Sequence, residues 1–197
     1  MDSGGRNFQS PNLPSRDAEV TKEKREYVLF DGVILRDRRE QFVYDFRGFT
    51  SDAATGHLPL IIPIEDATLP TGDYSLKNYE KLITCERKSK ADLFSSLSQG
   101  RERLEREFQR MQDGGFEIAH FICECDWREI MDEPPPHTKF SGKSIFRTMT
   151  SWVHKYPRVH WHMCPGRAFA ERTCFRLLQK FADKKHREKS MPNSIDT

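Results

Sequence analysis

Phe116 to Cys125 is nearly continuously apolar, and no other stretch of the chain narrows the possible folds as much. A strand with one wet face alternates apolar and polar residues, so a strand without that alternation must be covered on both faces, as at the centre of an α/β sheet. The material to cover it follows helical periods. Ser89 to Met111 carries Leu93, Leu97, Leu104, Phe108 and Met111 as one stripe, with Ser89 and Asp92 spaced as a capping box and Gly114-Gly115 as the stop. Ser144 to Tyr156 sets Ile145, Met149, Trp152, Val153 and Tyr156 on one side, and Arg167 to about Lys184 turns Ala170, Cys174, Leu177, Leu178 and Phe181 inward. Arg158 to Cys164 between them reads as a strand.

The first half supplies further strands. Tyr27 to Arg36 reads as a hairpin or a bulged strand around Asp31-Gly32, and the two prolines of His57 to Ala67 assign that strand to an edge or an irregular ladder. Phe49 to Gly56 is a polar loop, a turn at Pro70-Thr71-Gly72 delivers Asp73 to the next strand, and Lys81 to Lys88 alternates as another. A polar loop with Pro134-Pro135-Pro136 follows Cys125 and is long enough to border a substrate groove. Strands first, then strand-helix alternation, imply a three-layer α/β sandwich with a mixed central sheet flanked by helices. Residues 1–25, rich in Ser, Pro, Asn and charge, read as a flexible arm; 26–185 form the domain and 186–197 a disordered basic tail.

At 197 residues there is room for one domain with a core. With no apolar run of about 18 residues and a polar start, the chain reads as a soluble intracellular protein, nuclear in a eukaryote and cytoplasmic in a prokaryote or virus. Five cysteines, an odd number, fit a reducing compartment. The net charge of +2 does not by itself argue for nucleic acid.

The chemistry is concentrated in Gly72-Asp73 and Glu86-Arg87-Lys88. Two carboxylates can hold a hard divalent cation through oxygen, and Lys88 lies on the same strand face as Glu86 because strand side chains repeat every two residues. A cation there polarises a phosphoryl oxygen, and an ammonium beside it orients water or offsets charge developing on the phosphate. By the same alternation Arg87 faces away, as a structural or phosphate-anchoring group.

Upstream stands Arg36-Asp37-Arg38-Arg39-Glu40; downstream, Lys88 is followed by Ser89-Lys90-Ala91-Asp92 and then Gly100-Arg101, Phe121 to Asp126, and His154 to Trp161. This chain resembles, over about residues 27 to 182, the nuclease domain of the XPF family of structure-specific endonucleases, which has a restriction-endonuclease-like fold. The family pattern is an Asp-x-Arg-Glu element, Gly-Asp, then Glu-Arg-Lys with an Asp closing the motif. The resemblance implies a Mg²⁺-dependent endodeoxyribonuclease, with Mn²⁺ as substitute, cutting near junctions in branched or flap DNA in repair or recombination. It implies catalytic roles for Asp37, Glu40, Asp73, Glu86 and Lys88, metal ligation by Asp37, Asp73 and Glu86, and substrate contacts by Arg39, Arg87, Lys90 and Arg101. It also implies a homodimer, or a related nuclease-domain partner, paired through C-terminal helices. Cellular members usually continue into a helix-hairpin-helix pair, where this sequence has a short charged tail. Rival readings are a duplex-cutting restriction or phage-type nuclease and a non-catalytic DNA-binding dimer partner.

Several residues keep a plainer alternative. Arg39 reads equally as a salt-bridge organiser beside two acids, and Asp92 as a helix cap. Arg103, Arg106 and Arg110, interleaved with Glu102, Glu105 and Glu107, read equally as a phosphate patch and as a salt-bridged helix face. His160, His162 and Cys164 share one strand face, as do Cys123 and Cys125, and would form a zinc site if those strands were neighbours and the faces met.

Overall fold

A computed structural model describes residues 26–136 and 138–190. The expected arm at 1–25 and residues 191–197 of the expected tail lie outside the described residues. Strands β2 (Ile34–Asp37), β4 (Ile64–Ala67), β5 (Tyr74–Leu76), β6 (Ile83–Lys88), β7 (Ile118–Cys123) and β8 (Val159–Met163) form one mixed sheet in the order β4-β2-β5-β6-β7-β8. Pairing is antiparallel on both sides of β5 and parallel elsewhere. β7 is interior and buried from Ala119 to Cys123, as its lack of alternation requires.

Helices cover both faces. On one lie α1 (Lys90–Leu97), α2 (Arg101–Asp113), α3 (Trp127–Asp132) and α4 (Gly142–Lys155), where Phe108 meets Phe121 at 5.0 Å and Trp152 at 4.9 Å between ring centroids. On the other, α5 (Arg167–Ser190) brings Cys174, Phe175 and Leu178 against Ile34, Tyr74, Ile83 and Cys85. The chain is therefore the expected three-layer sandwich.

Four local expectations are corrected. Residues 27–36 form no hairpin: β1 (Val28–Leu29) leaves to pair in parallel with β3 (Leu60–Ile61) in a separate two-stranded sheet. Phe30 draws it there by burying its ring edge-on against Phe175, 5.4 Å between centroids. The long helix from Ser89 breaks at Ser98–Gly100, where the Ser98 hydroxyl donates to the Phe94 carbonyl at 2.7 Å. The polar loop after Cys125 contains α3, started by a reciprocal capping box between Asp126 and Glu129. Finally, α5 runs past Lys184 to Ser190, because Lys184 and Lys185 pair with Glu117 and Glu188 instead of lying in a tail.

Candidate active site

The site is built where β5 and β6 meet. Gly72 has φ +77°, and a Cβ there would lie 2.0 Å from Thr84 Oγ1, so only glycine lets this turn lie flat on β6. The Thr84 hydroxyl donates to the Thr71 carbonyl at 2.9 Å, and the Asp73 amide donates to the Cys85 carbonyl at 2.8 Å. Asp73 is thereby fixed at the start of β5, and its carboxylate accepts the Arg87 main-chain N–H at 2.7 Å. Glu86 and Lys88 share the α1–α2 side of β6, with Lys88 Nζ donating to Glu86 Oε1 at 2.8 Å.

Glu86 is buried and Asp73 is partly so. Burial, and next the Glu86 charge, push the Asp73 carboxyl well above the usual range. Burial, against the opposing pull of Lys88 and with contact with Glu107 of α2 adding to it, raises Glu86 to about 7. Burial would lower the Lys88 ammonium, but the Glu86 and Glu107 charges outweigh it and raise its pKa. One lysine faces three carboxylates, so the cluster lacks positive charge.

That donor set fits Mg²⁺, which prefers one or two carboxylates and keeps several waters. Asp73 and Glu86 would hold it. Among the described residues no three His, Cys, Asp or Glu side chains are gathered for a metal, so Asp37 is not brought into one ligand set with them. Asp37 is already engaged: Arg39 grips both its oxygens at 2.8 Å and the Leu69 amide donates to it at 2.8 Å. The Arg39 hydrogen bonds hold its carboxyl down to about 2. Arg39, also bonded to the Leu69 carbonyl, is thus a salt-bridge organiser on the wall of the cleft.

Glu40 also lines the cleft, accepts the Phe42 amide at 2.6 Å and lies 3.5 Å from Arg87. Arg87 faces the other side, as alternation predicts, in a two-pronged contact with Glu124 at 2.8 Å per bond. Ser89 caps α1 by accepting the Asp92 amide at 3.2 Å and donates its hydroxyl to the Asp92 carboxylate at 2.6 Å, a variation on the expected box. Two expected substrate contacts are directed elsewhere. Lys90 reaches toward Glu129 and Glu133 of α3 and its flank at 3.9 and 4.0 Å. Arg101 donates to Thr148 at 2.9 Å over the Trp152 ring, tying α2 to α4.

Arg103, like Arg39, lines both of two adjoining cavities of about 440 and 310 Å³ that reach Asp73 and Glu86, and among the described residues it has no acid paired with it. Glu107 and Arg110 line the second. Spacing on α2 was the available signal: 103, 107 and 110 lie on one face, which adjoins that of the buried Leu104, Phe108 and Met111. The zinc set is not assembled. Cys123 and Cys125 face the α1–α4 layer, while Cys164 packs under α5 and His162 meets His120 across β7–β8, nitrogens 3.0 Å apart. The C-terminal stripes divide: Trp152 and Phe181 are core, whereas Val153 is 46% exposed.

Comparison with known proteins places this geometry. The chain spans 66% of the length of XPF from Aeropyrum pernix, which it matches over 84% of its own length at 21% identity and a TM-score of 0.53. XPF from Aeropyrum pernix in complex with DNA matches over 78% of this chain and 66% of its own, at 21% identity and a TM-score of 0.52. These likenesses share the restriction-endonuclease-like fold. No curated protein matches the chain in sequence. The family model described as the ERCC4 domain matches residues 57–169, a span that holds Gly72, Asp73, Glu86, Arg87 and Lys88. With more than half its length inside that match, the chain belongs to the ERCC4 domain family, as an XPF-type nuclease domain.

Proposed function

We propose that the chain is a Mg²⁺-dependent DNA endonuclease that hydrolyses phosphodiester bonds near junctions in branched DNA. The observation carrying this reading is the charge deficit at Asp73 and Glu86: two carboxylates, one buried and one partly so, sharing Lys88 are a place for a cation and an anionic substrate together. Mg²⁺ bound there would polarise the phosphoryl oxygen and supply a readily deprotonated water. Lys88 is placed to meet charge developing on the phosphate, and Arg103, exposed on the cleft wall, to hold a neighbouring phosphate. Asp37 and Arg39 fix the loop beside Asp73, to which the Asp37 amide is bonded at 2.8 Å. Glu40 and Glu124 hold Arg87, and so the strand that carries Glu86. That the XPF neighbour was studied with DNA supports the substrate class.

The test is cleavage of a panel of linear duplex, flap, fork and four-way-junction DNA with Mg²⁺, with Mn²⁺ and with chelator. Metal-dependent cuts near the branch are expected; cutting at one base sequence in linear duplex would favour the restriction-type rival. Repair or recombination is the setting in which such cuts serve a cell. Self-association belongs to the same proposal, and the exposed Phe146 and Val153 on α4 support it. Sedimentation at tens of micromolar, about the range of a specific dimer, is the measurement, and monomer alone would leave those side chains as ordinary surface.

A further inference from the structure

Beyond the acids the cleft continues along α2. Pro70, Thr71 and Arg110 close the acidic cavity on one side and open a second on the other, of about 690 Å³. Its chemistry differs from that of the catalytic end. Pro70, with a small part of the otherwise buried Phe116, gives it apolar surface, and Lys81, Arg106 and Arg110 stand around it with one carboxylate, Asp113, to which Gln109 donates at 2.6 Å. Neither Lys81 nor Arg110 pairs with an acid among the described residues, and Arg106 has only Glu102 at 3.9 Å.

An apolar cavity with convergent polar groups, within the range of about 300–1,000 Å³ typical of small-ligand sites, is a binding pocket by its form. Apolar surface is no use to a bare phosphate, and three cations are no use to an apolar ligand. A nucleotide needs both. A stacked, paired nucleotide cannot enter, because its base is held inside the duplex, whereas an unpaired one costs little to swing out.

We propose that this cavity receives one unpaired nucleotide of the DNA strand leaving the catalytic cleft, its base against Pro70 and Phe116 and its phosphate between Arg106 and Arg110. The inference rests on the nuclease reading and deepens it: a pocket for an unpaired nucleotide beside the acids selects junctions over plain duplex. Arg103, Glu107 and Arg110 on one face of α2 connect the two ends, so a strand passing Asp73 runs directly toward the pocket.

Binding is read by fluorescence anisotropy of the full chain in chelator, so that no DNA is cut. The probes are a linear duplex and a set of forks in which each of the first unpaired positions of either strand in turn carries a normal base or an abasic site. At one position the abasic site is expected to weaken binding about tenfold, the scale of losing one base from an apolar or aromatic platform. Gln109→Trp, at an exposed position that lines this cavity and neither of the two that reach Asp73 and Glu86, fills it. That variant should bind the normal fork about as the parent binds the abasic one, should ignore the abasic change, and should bind linear duplex like the parent. If Gln109→Trp does not fold, Arg106→Ala, likewise outside the two cavities that reach Asp73 and Glu86, should lower fork affinity more than duplex affinity. A parent indifferent to every abasic position, or variants that keep the parent's discrimination, would overturn the inference. A parent that cuts forks with Mg²⁺ yet ignores abasic sites sinks the pocket alone; a parent that neither binds nor cuts DNA sinks the nuclease reading as well.

Discussion

Arg87 and Lys88 are neighbours on β6, both buried and both bonded to carboxylates at 2.8 Å, yet their surroundings are opposite. Around Arg87 the charges balance: Arg87 and Arg167 face Glu124 and Glu40, with bonds of ordinary length and no group left over. Around Lys88 they do not, since Asp73, Glu86 and Glu107 share it. A closed set of buried charges holds a structure together, whereas an incomplete one waits for something to complete it. The strand's two-residue period lets adjacent residues serve both ends.

The largest effect should come from breaking the balanced side. Glu124→Ala leaves Arg87 buried without its two-pronged partner and is expected to cost about 3–5 kcal/mol of stability, measured by denaturant unfolding. Loss of less than about 1 kcal/mol, the scale of an exposed pair, would mean the two faces do not differ as described. On the unbalanced side the sign reverses. Asp73→Ala and Glu86→Ala should lower metal-dependent cleavage on the order of a hundredfold or more under single-turnover conditions while melting no lower than the parent. Lys88→Ala should strongly reduce it, and Asp73→Ala cutting at the parental rate would remove the site assignment.

A smaller effect concerns pH. Glu86 titrates near 7 in the fold against 4.5 as its ordinary value, so between those values the folded state holds a proton that the unfolded state has released. Stability without added metal should therefore fall as pH rises from about 4.5 to about 7. Mg²⁺ or Glu86→Gln should flatten that fall, and thermal melts across the range, with and without the ion, measure it. His120, held neutral to about 3 by burial and next by His162 and His160, works in the opposite direction. Its unfolded form takes a proton first, so its contribution is lost as pH drops from about 6.5 toward 3. The smallest effect separates the arginines of α2. Arg103→Ala should weaken DNA binding and reduce the salt slope by about one, while Arg101→Ala, committed to Thr148 and Trp152, should leave the slope alone.

The layered fold could be read from the chain because it depends on long-range averages: β7 lacks alternation, and α4 and α5 keep their stripes over many turns. The core of the site was equally readable, since Gly72-Asp73 and Glu86-x-Lys88 are fixed by a turn and a two-residue period. What escaped depends on which of two local partners wins. Ser98 took the Phe94 carbonyl and broke a helix whose apolar stripe runs on unchanged through the break. Asp126-x-x-Glu129 started a helix too short to show a period. The choice between Arg101 and Arg103 turned on where Trp152 lies, fifty residues away, which no local pattern on α2 contains.

Gly72 has a genetic consequence. In a scan of all substitutions for loss of function, a residue with no side chain and no chemistry should rank beside the catalytic acids, because any Cβ there meets Thr84 Oγ1 at 2.0 Å and the Cys85 carbonyl at 3.1 Å. The lesion should be suppressible from the other strand. Shortening Thr84 to alanine removes the nearer obstacle, so Gly72→Ala with Thr84→Ala should recover part of the activity that Gly72→Ala alone loses. Full recovery is not expected, because alanine at φ +77° remains strained by about 1–2 kcal/mol.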